Sequence, residues 1–384
     1  MNNINLLFQQ AVQFLNNNQL QESEKTLQKI IKSNVKHVDV HFLMGNVLGM
    51  QQKYQEALSH FQAALKLDPK RPDVYLNIGT TFDELKSHIE AIKAFKKSLA
   101  IDSKNALTWL ALGKAYFSAE QNDSALESFN QSLALNPQDA RTWYNLGTVQ
   151  DKLELYDAAI ASYDKALELQ ANLPEALMNK GNTLFKKQVF EEALSAYEQA
   201  IILNKDLVGA YVGKVQVYKT LNRLDDAYRF CIEGLEINPQ HIELLNQLGL
   251  IFVDFYRYEE GVKAFDQVLK IDPKNARVRM QRGEALAMLH RHEEALAEYH
   301  HVYKLNPQLE TFMENFVHTK MLLYDWAELD KHLSMMKKIV ALPESIGVPF
   351  ISLSTLDIEH QYLVAKQASA QFRIGRKAHT VNPI

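Results

Sequence analysis

A chain of 384 residues, 47% apolar and 23% charged with only 14 glycines and 10 prolines, reads as a soluble helical protein, long enough for several domains or one continuous array. Its net charge of −4, with both signs mixed along the chain, excludes the basic stripe that phosphate backbones require, so no nucleic-acid partner is expected. A single cysteine, Cys231, excludes an internal disulfide framework, and no apolar run reaches the roughly 18 residues of a membrane span, so a cytoplasmic protein without a membrane partner is expected.

The chain opens on MNNINLLFQQAVQFLNNNQ, which lacks the charged and unbroken apolar segments of a leader. Residues 4–37 carry a faint version of a pattern that becomes strict from Val38 onward. Pro69, Pro137, Pro239, Pro273 and Pro307 are spaced by multiples of 34, with Ser103, Ala171 and Lys205 in the intervening slots. With Val38 as position 1, position 8 reads Gly45, Gly79, Gly113, Gly147, Gly181, Val215, Gly249 and Gly283. Position 20 reads Ala57, Ala91, Ala125, Ala159, Ala193, Ala227, Gly261 and Ala295. Position 24 reads Phe61, Phe95, Phe129, Tyr163, Tyr197, Cys231, Phe265 and Tyr299.

A small residue on each of two helices lets their axes approach, and a ring fills the space beside them. Each repeat is therefore expected to hold two helices of about 14 residues, roughly 20 Å long, with Asn-Pro or Asp-Pro ending the second. The chain divides into a degenerate first repeat or cap at 1–37, with Ala11 and Ser23 in the small slots, and eight full repeats at 38–309. A divergent tenth repeat follows at 310–340, and a linker or the start of another module at 341–384.

The stretch LTWLALGKAYFSAEQNDSALESFNQSLALNP carries Trp109, Leu112, Gly113, Ala125, Phe129 and Pro137 at positions 4, 7, 8, 20, 24 and 32. This pattern resembles the tetratricopeptide repeat, which implies an all-α superhelical solenoid of about nine to ten helix-turn-helix repeats, here with a short mixed C-terminal segment.

Repeat 208–241 departs most, with Gly213 at position 6, Val215 at 8, Cys231 at 24 and Gly234 at 27. A larger residue at 8 opposite a smaller one at 24 reads as volume compensation, which makes Cys231 a core filler and not a nucleophile. The stretch GAYVGKV, from Gly209 to Val215, has one residue too few between its glycines for a phosphate-binding loop and lies in register with the first helices. His290, His292, His300 and His301 fall at positions 15, 17, 25 and 26, which do not share one face, so no metal site is expected. No catalytic residue and no cofactor site are expected within this chain.

Function in a solenoid lies on the concave surface lined by the first helices. Helical spacing puts positions 2, 6, 9 and 13 in one stripe there, opposite the packed stripe of 4, 7, 8 and 11. Position 6 reads Leu43, Asn77, Ala111, Asn145, Asn179, Gly213, Gln247, Gln281 and Asn315, an interrupted row of amides expected to be exposed. An amide both donates and accepts, so such a row suits the backbone of an extended peptide and reads side chains weakly. The carboxylate clamp with which some tetratricopeptide repeats hold chaperone tails is not matched: Asn46 and Asn77 are present, but Phe42, Leu107 and Ala111 stand at the cationic positions.

After Pro307 the pattern holds for one helix, with Asn315 at position 6 and Trp326 in an aromatic slot, but Val317 and Leu329 widen the small-residue contact and are expected to loosen the pair. A short β-branched or apolar run at 348–353 and a helix from Leu356 to about Phe372 are expected beyond. The stretch YHHVYKLNPQLETFMENFVHTKMLLYDWAEL, with Asp325 and Trp326, resembles the last repeat of the O-GlcNAc transferase family. PFISLSTLDIEHQYLVAKQAS, with Pro349 and Phe350, is similar to the linker before the catalytic region of bacterial members.

That resemblance implies a substrate-recruiting region in which Asn77, Asn145, Asn179 and Asn315, with Gln247 and Gln281 as substitutes, contact peptide backbone. Leu43, Ala111 and Gly213 interrupt the track. A nucleotide sugar such as UDP-GlcNAc would enter only with a catalytic module beyond Ile384. The other reading of the same residues is a general adaptor for assembling a multiprotein complex.

Overall fold

The computed structural model describes residues 2–33, 37–306 and 312–323, and every regular element among them is an α-helix. The contacts fall into two compact units, Met1–Asn204 and Lys205–Ile384, which divide the eight-repeat block at the entrance to its most divergent repeat. The first unit holds α1 (Asn2–Asn16), α2 (Leu20–Lys32), α3 (Val38–Met50), α4 (Tyr54–Leu67), α5 (Pro72–Glu84), α6 (His88–Ile101), α7 (Ala106–Ser118), α8 (Asn122–Leu135), α9 (Ala140–Lys152), α10 (Tyr156–Leu169), α11 (Pro174–Lys186) and α12 (Phe190–Leu203). The second holds α13 (Val208–Thr220), α14 (Leu224–Ile237), α15 (Ile242–Asp254), α16 (Tyr258–Ile271), α17 (Ala276–Met288), α18 (His292–Leu305) and α19 (Phe312–Leu322). No helix among the described residues is long and apolar enough to cross a membrane.

The ends of these helices follow from local chemistry. From α4 onward each second helix stops at a residue of extended backbone, and at Asp68, Asp102, Asn136, Asn238 and Asp272 the side chain accepts the backbone N–H two residues on. Asp102 does this before Ser103, so the acidic or amide residue sets the stop even where proline is missing. Each first helix from α1 to α17 ends in a left-handed residue at position 15, from Asn18 to His290, with φ between 55° and 62° and none of them glycine. At Gln52 the turn closes by Gln52 N–H to Gly49 O and Lys53 N–H to Leu48 O, both 2.9 Å, and the same pair of bonds recurs at the other eight turns.

Packing confirms the small-and-large pattern and assigns its partners. A Cβ built on Gly45, Gly79 or Gly249 would lie 2.4 Å from the ring at position 24 of the same repeat, and on Gly113, Gly147, Gly181 or Gly283 between 2.6 and 2.7 Å. Glycine at 8 therefore makes room for the ring itself, while the alanines at 20 are fully buried beside it. In repeat 208–241, Val215 and Cys231 are both fully buried, so the volume is exchanged between the two positions. Gly234 there makes room for Leu244, whose Cδ1 would stand 2.6 Å from an added Cβ. The degenerate first repeat closes in the same way, with Ser23 Oγ donating to Ala11 O at 2.9 Å.

Positions 4 and 23 of a repeat also face each other, as the contacts His41–His60 and Arg279–Glu298 establish. The pair that Val317 and Leu329 are expected to loosen includes a helix outside the described residues. Val317 is buried in the core of the second unit with Phe312, Met313 and Phe316, because its first helix docks on α18 much as earlier first helices dock on theirs. Leu329, Asp325, Trp326, Pro349, Phe350 and the whole of 341–384 lie outside the described residues.

Candidate functional site: the first-helix face

Within each unit successive first helices approach one another: α1 and α3 through α9 and α11 in the first, α13 and α15 through α17 and α19 in the second. No pair of successive second helices approaches as closely among the described residues, so each unit bends toward its first helices. Positions 2 and 13 of those helices are mostly exposed, and positions 6 and 9 mostly half-buried between neighbours.

This corrects the expectation for the amides. Asn77, Asn145, Asn179, Gln247, Gln281 and Asn315 are all half-buried, and five of them are engaged within the protein. Asn77 Nδ2 donates to Asn46 Oδ1 at 3.0 Å, and Asn315 Nδ2 donates to Glu284 Oε1 at 2.8 Å. Asn179 Nδ2 donates to the Tyr144 hydroxyl at 3.2 Å, and Asn145 Nδ2 turns back to Arg141 O at 2.7 Å. Gln247 Oε1 accepts from Lys219 Nζ at 3.4 Å, whereas Gln281 Oε1 is buried with no donor. For Asn77, Asn179 and Asn315 the reason is the close approach of neighbouring first helices, which brings position 6 onto position 9 or 5 of the preceding repeat. For Asn77, Asn145 and Asn315 one N–H is used and the carbonyl oxygen and second N–H remain, whereas Asn179 also lies against the Tyr163 hydroxyl.

Position 9 also supplies the partner of two tyrosines at 24. Tyr197 donates its hydroxyl to Asn182 Oδ1 at 2.7 Å and Tyr163 to Thr148 Oγ1 at 3.5 Å. Burial raises the pKa of both, and of Tyr299, where the nearby Glu284 adds to the rise. A polar residue on the groove face thus satisfies a hydroxyl in the core.

Models of the tetratricopeptide repeat match residues 38–104, 110–176, 156–207, 208–241 and 246–309, well over half of the chain. The chain belongs to the tetratricopeptide-repeat family. A tetratricopeptide repeat protein from Parabacteroides merdae ATCC 43184 is 16% identical over 65% of this chain and 98% of its own, with a TM-score of 0.53. The C-terminal part of a repeat protein from Cytophaga hutchinsonii is 14% identical over 65% and 99%, with a TM-score of 0.52. Both likenesses are of fold alone. YrrB, described as a tetratricopeptide-repeat protein with an unusual peptide-binding site, is 24% identical over 48% of this chain and 95% of its own, with a TM-score of 0.42. No curated protein matches the chain.

Away from the first-helix face, the tetratricopeptide framework absorbs the residues that hinted at chemistry. Gly209 to Val215 lies inside α13, where the Lys214 ammonium sits 3.7 Å from the centre of the Phe230 ring. Cys231 donates its thiol to Leu244 O at 3.2 Å, and burial pushes its pKa up to about 12, the opposite of an activated nucleophile. His290 and His292 meet edge to face, His300 packs on Phe316, and His301 lies against Ala297 O, so the four histidines are spread over different contacts. Among the described residues no three His, Cys, Asp or Glu side chains converge.

One titratable pair does stand out. His41 and His60 stack with their Nδ1 atoms 3.1 Å apart. Burial lowers both pKa values, and for His60 the charge of His41 adds to this while Glu56 opposes it. A histidine with a lowered folded pKa binds fewer protons in the native than in the unfolded state, so its contribution is complete above about pH 6.5 and is lost as pH falls below it. Thermal melts from pH 7.5 to 5.5 are expected to show a falling Tm for the native chain and a smaller fall for His60→Gln. Parallel curves would remove the pair as the cause.

Proposed function

We propose that this tetratricopeptide-repeat protein is a protein-binding scaffold that holds extended polypeptide along its first-helix faces. The row of half-buried asparagines carries this reading: Asn77, Asn145 and Asn315 are fixed by one internal bond each and keep a donor and an acceptor for a peptide backbone, and Asn179, held by two tyrosine hydroxyls, keeps its carbonyl oxygen. Amides held in place lose little freedom on binding, which favours affinity without strong side-chain selection.

Selection of a randomised displayed peptide library on the native chain tests it, followed by affinity measurement for an enriched peptide. Replacing Asn145 and Asn179 together by alanine is expected to weaken binding roughly tenfold or more, at about 1 kcal/mol for each lost bond. The same change removes two internal bonds and is expected to lower the melting temperature by a few degrees, so affinities are compared where both proteins are folded. An unchanged affinity, or no enriched peptide, would sink the proposal.

A narrower form makes the scaffold the substrate-recruiting part of an O-GlcNAc transferase-like glycosyltransferase. Asn315 favours it, because the amide row continues into the last described helix, directly before the Asp325–Trp326 pair that carries the resemblance. A reading frame that runs on past Ile384 into an α/β region with a nucleotide-sugar site would support this form, and one without such a region would leave the adaptor. A cytoplasmic setting is part of the proposal, in keeping with one buried thiol.

A further inference from the structure

The first-helix face of the second unit holds acceptors that the fold does not satisfy. Glu284, at position 9 of α17, is half-buried and accepts one bond, from Asn315 Nδ2 at 2.8 Å. No cation pairs with it among the described residues. The contrast with its surroundings is sharp: Glu298 on α18 is held by Arg279 at 2.8 Å and Arg282 at 2.9 Å, and Asp254 on α15 by Lys219 at 3.5 Å.

Two more acceptors stand on the same face of this unit. Gln281 Oε1, one turn earlier on the same helix, and Asn246 Oδ1 on α15 are both buried without a donor. Asn246 precedes Gln281 by the same 35 residues that separate Tyr144 from Asn179, a pair in hydrogen-bond contact in the first unit, so the two hold equivalent positions on α15 and α17. The bond from Asn315 to Glu284 likewise repeats, at the same separation of 31 residues, the bond from Asn77 to Asn46 in the first unit. The first unit uses an amide as acceptor there, and the second uses a carboxyl group.

A carboxyl group that accepts one bond, from Asn315, on a face where two amide oxygens also lack a donor, selects a ligand rich in N–H donors. Burial already raises the Glu284 pKa, against the opposing hydrogen bond from Asn315, which is the behaviour of a carboxylate without a cation. An ammonium brings three N–H donors and a guanidinium five, together with the charge that makes the ionised carboxylate favourable again. The arginines on the packed side of α17 do not fill this role, since Arg279 and Arg282 are tied to Glu298, and Arg282 also to Asp266.

We propose that Glu284, Gln281 and Asn246 receive a lysine or arginine side chain of the bound polypeptide and so impose a basic residue at one register of an otherwise backbone-reading groove. The inference rests on the groove-binding function proposed above. Its test uses the full chain and the peptides that it enriches from the displayed library, resynthesised with norleucine in place of their basic residue. Native protein is expected to prefer the basic peptide by at least about tenfold, equivalent to about 1.4 kcal/mol. Glu284→Gln, which keeps an acceptor for Asn315, is expected to bind both peptides with less than about a twofold difference.

Enriched peptides without a shared basic residue, or a preference that survives Glu284→Gln, would overturn this inference while leaving groove binding intact. If no peptide is enriched, both fall together. Should Glu284→Gln melt at a lower temperature, the comparison of lysine with norleucine on the native chain decides alone.

Discussion

Gly113→Val is expected to destabilise the first unit by about 3 kcal/mol, and Phe129→Cys in the same chain to recover most of that loss. A Cβ on Gly113 would stand 2.6 Å from the Phe129 ring, and neither the ring nor its helix has room to retreat, because Phe129 is itself buried. Phe129→Cys alone leaves a cavity and is expected to cost about 3 kcal/mol or more. The combination reproduces the pairing that Val215 and Cys231 already make in repeat 208–241, where both residues are fully buried. Urea unfolding of the four proteins measures the coupling. If the double variant shows the sum of the two losses, positions 8 and 24 do not govern each other's volume.

The second large effect is expected at Glu298. It is 9% exposed and binds two arginines whose side chains are 18% and 19% exposed, so Glu298→Ala strands charge in a poorly solvated place and is expected to cost about 3 kcal/mol. Arg282 retains Asp266 at 2.7 Å, whereas Arg279 retains only the backbone oxygen of Pro273. Adding Arg279→Leu should bring stability close to that of the native chain. Leucine at 4 with alanine at 23 is the natural pair in two other repeats, Leu177 with Ala196 and Leu245 with Ala264. A double variant as weak as Glu298→Ala would show that the loss does not come from the stranded arginine.

The period, the helix count per repeat, the glycine and ring positions and the core role of Cys231 are all legible in the linear chain. These are local or same-repeat properties: the helix stops depend on a side chain and the backbone two residues on, and the ring at 24 meets a glycine 16 residues earlier. Repetition adds to the legibility, since a rule seen once is tested again in each following repeat. Even the exception at Val215 and Cys231 is readable, because two compensating changes in one repeat are improbable without contact.

The candidate site was only half legible. Helical spacing assigned the amides to the correct face but left them exposed, since spacing along one helix says nothing of what the next first helix brings over it. The partners of Asn77, Asn179 and Asn315 lie 31 to 35 residues away, and whether each is an amide, a phenol or a carboxyl is a property of the neighbouring repeat. Glu284 gave no signal in the sequence, for a glutamate at position 9 is unremarkable until it is seen that no cation among the described residues pairs with it. The sequence by itself determined the array, because hydrophobic period and small-residue spacing act within a repeat. Only the tertiary structure decided which polar groups are already satisfied, because hydrogen bonding on the first-helix face is settled between repeats.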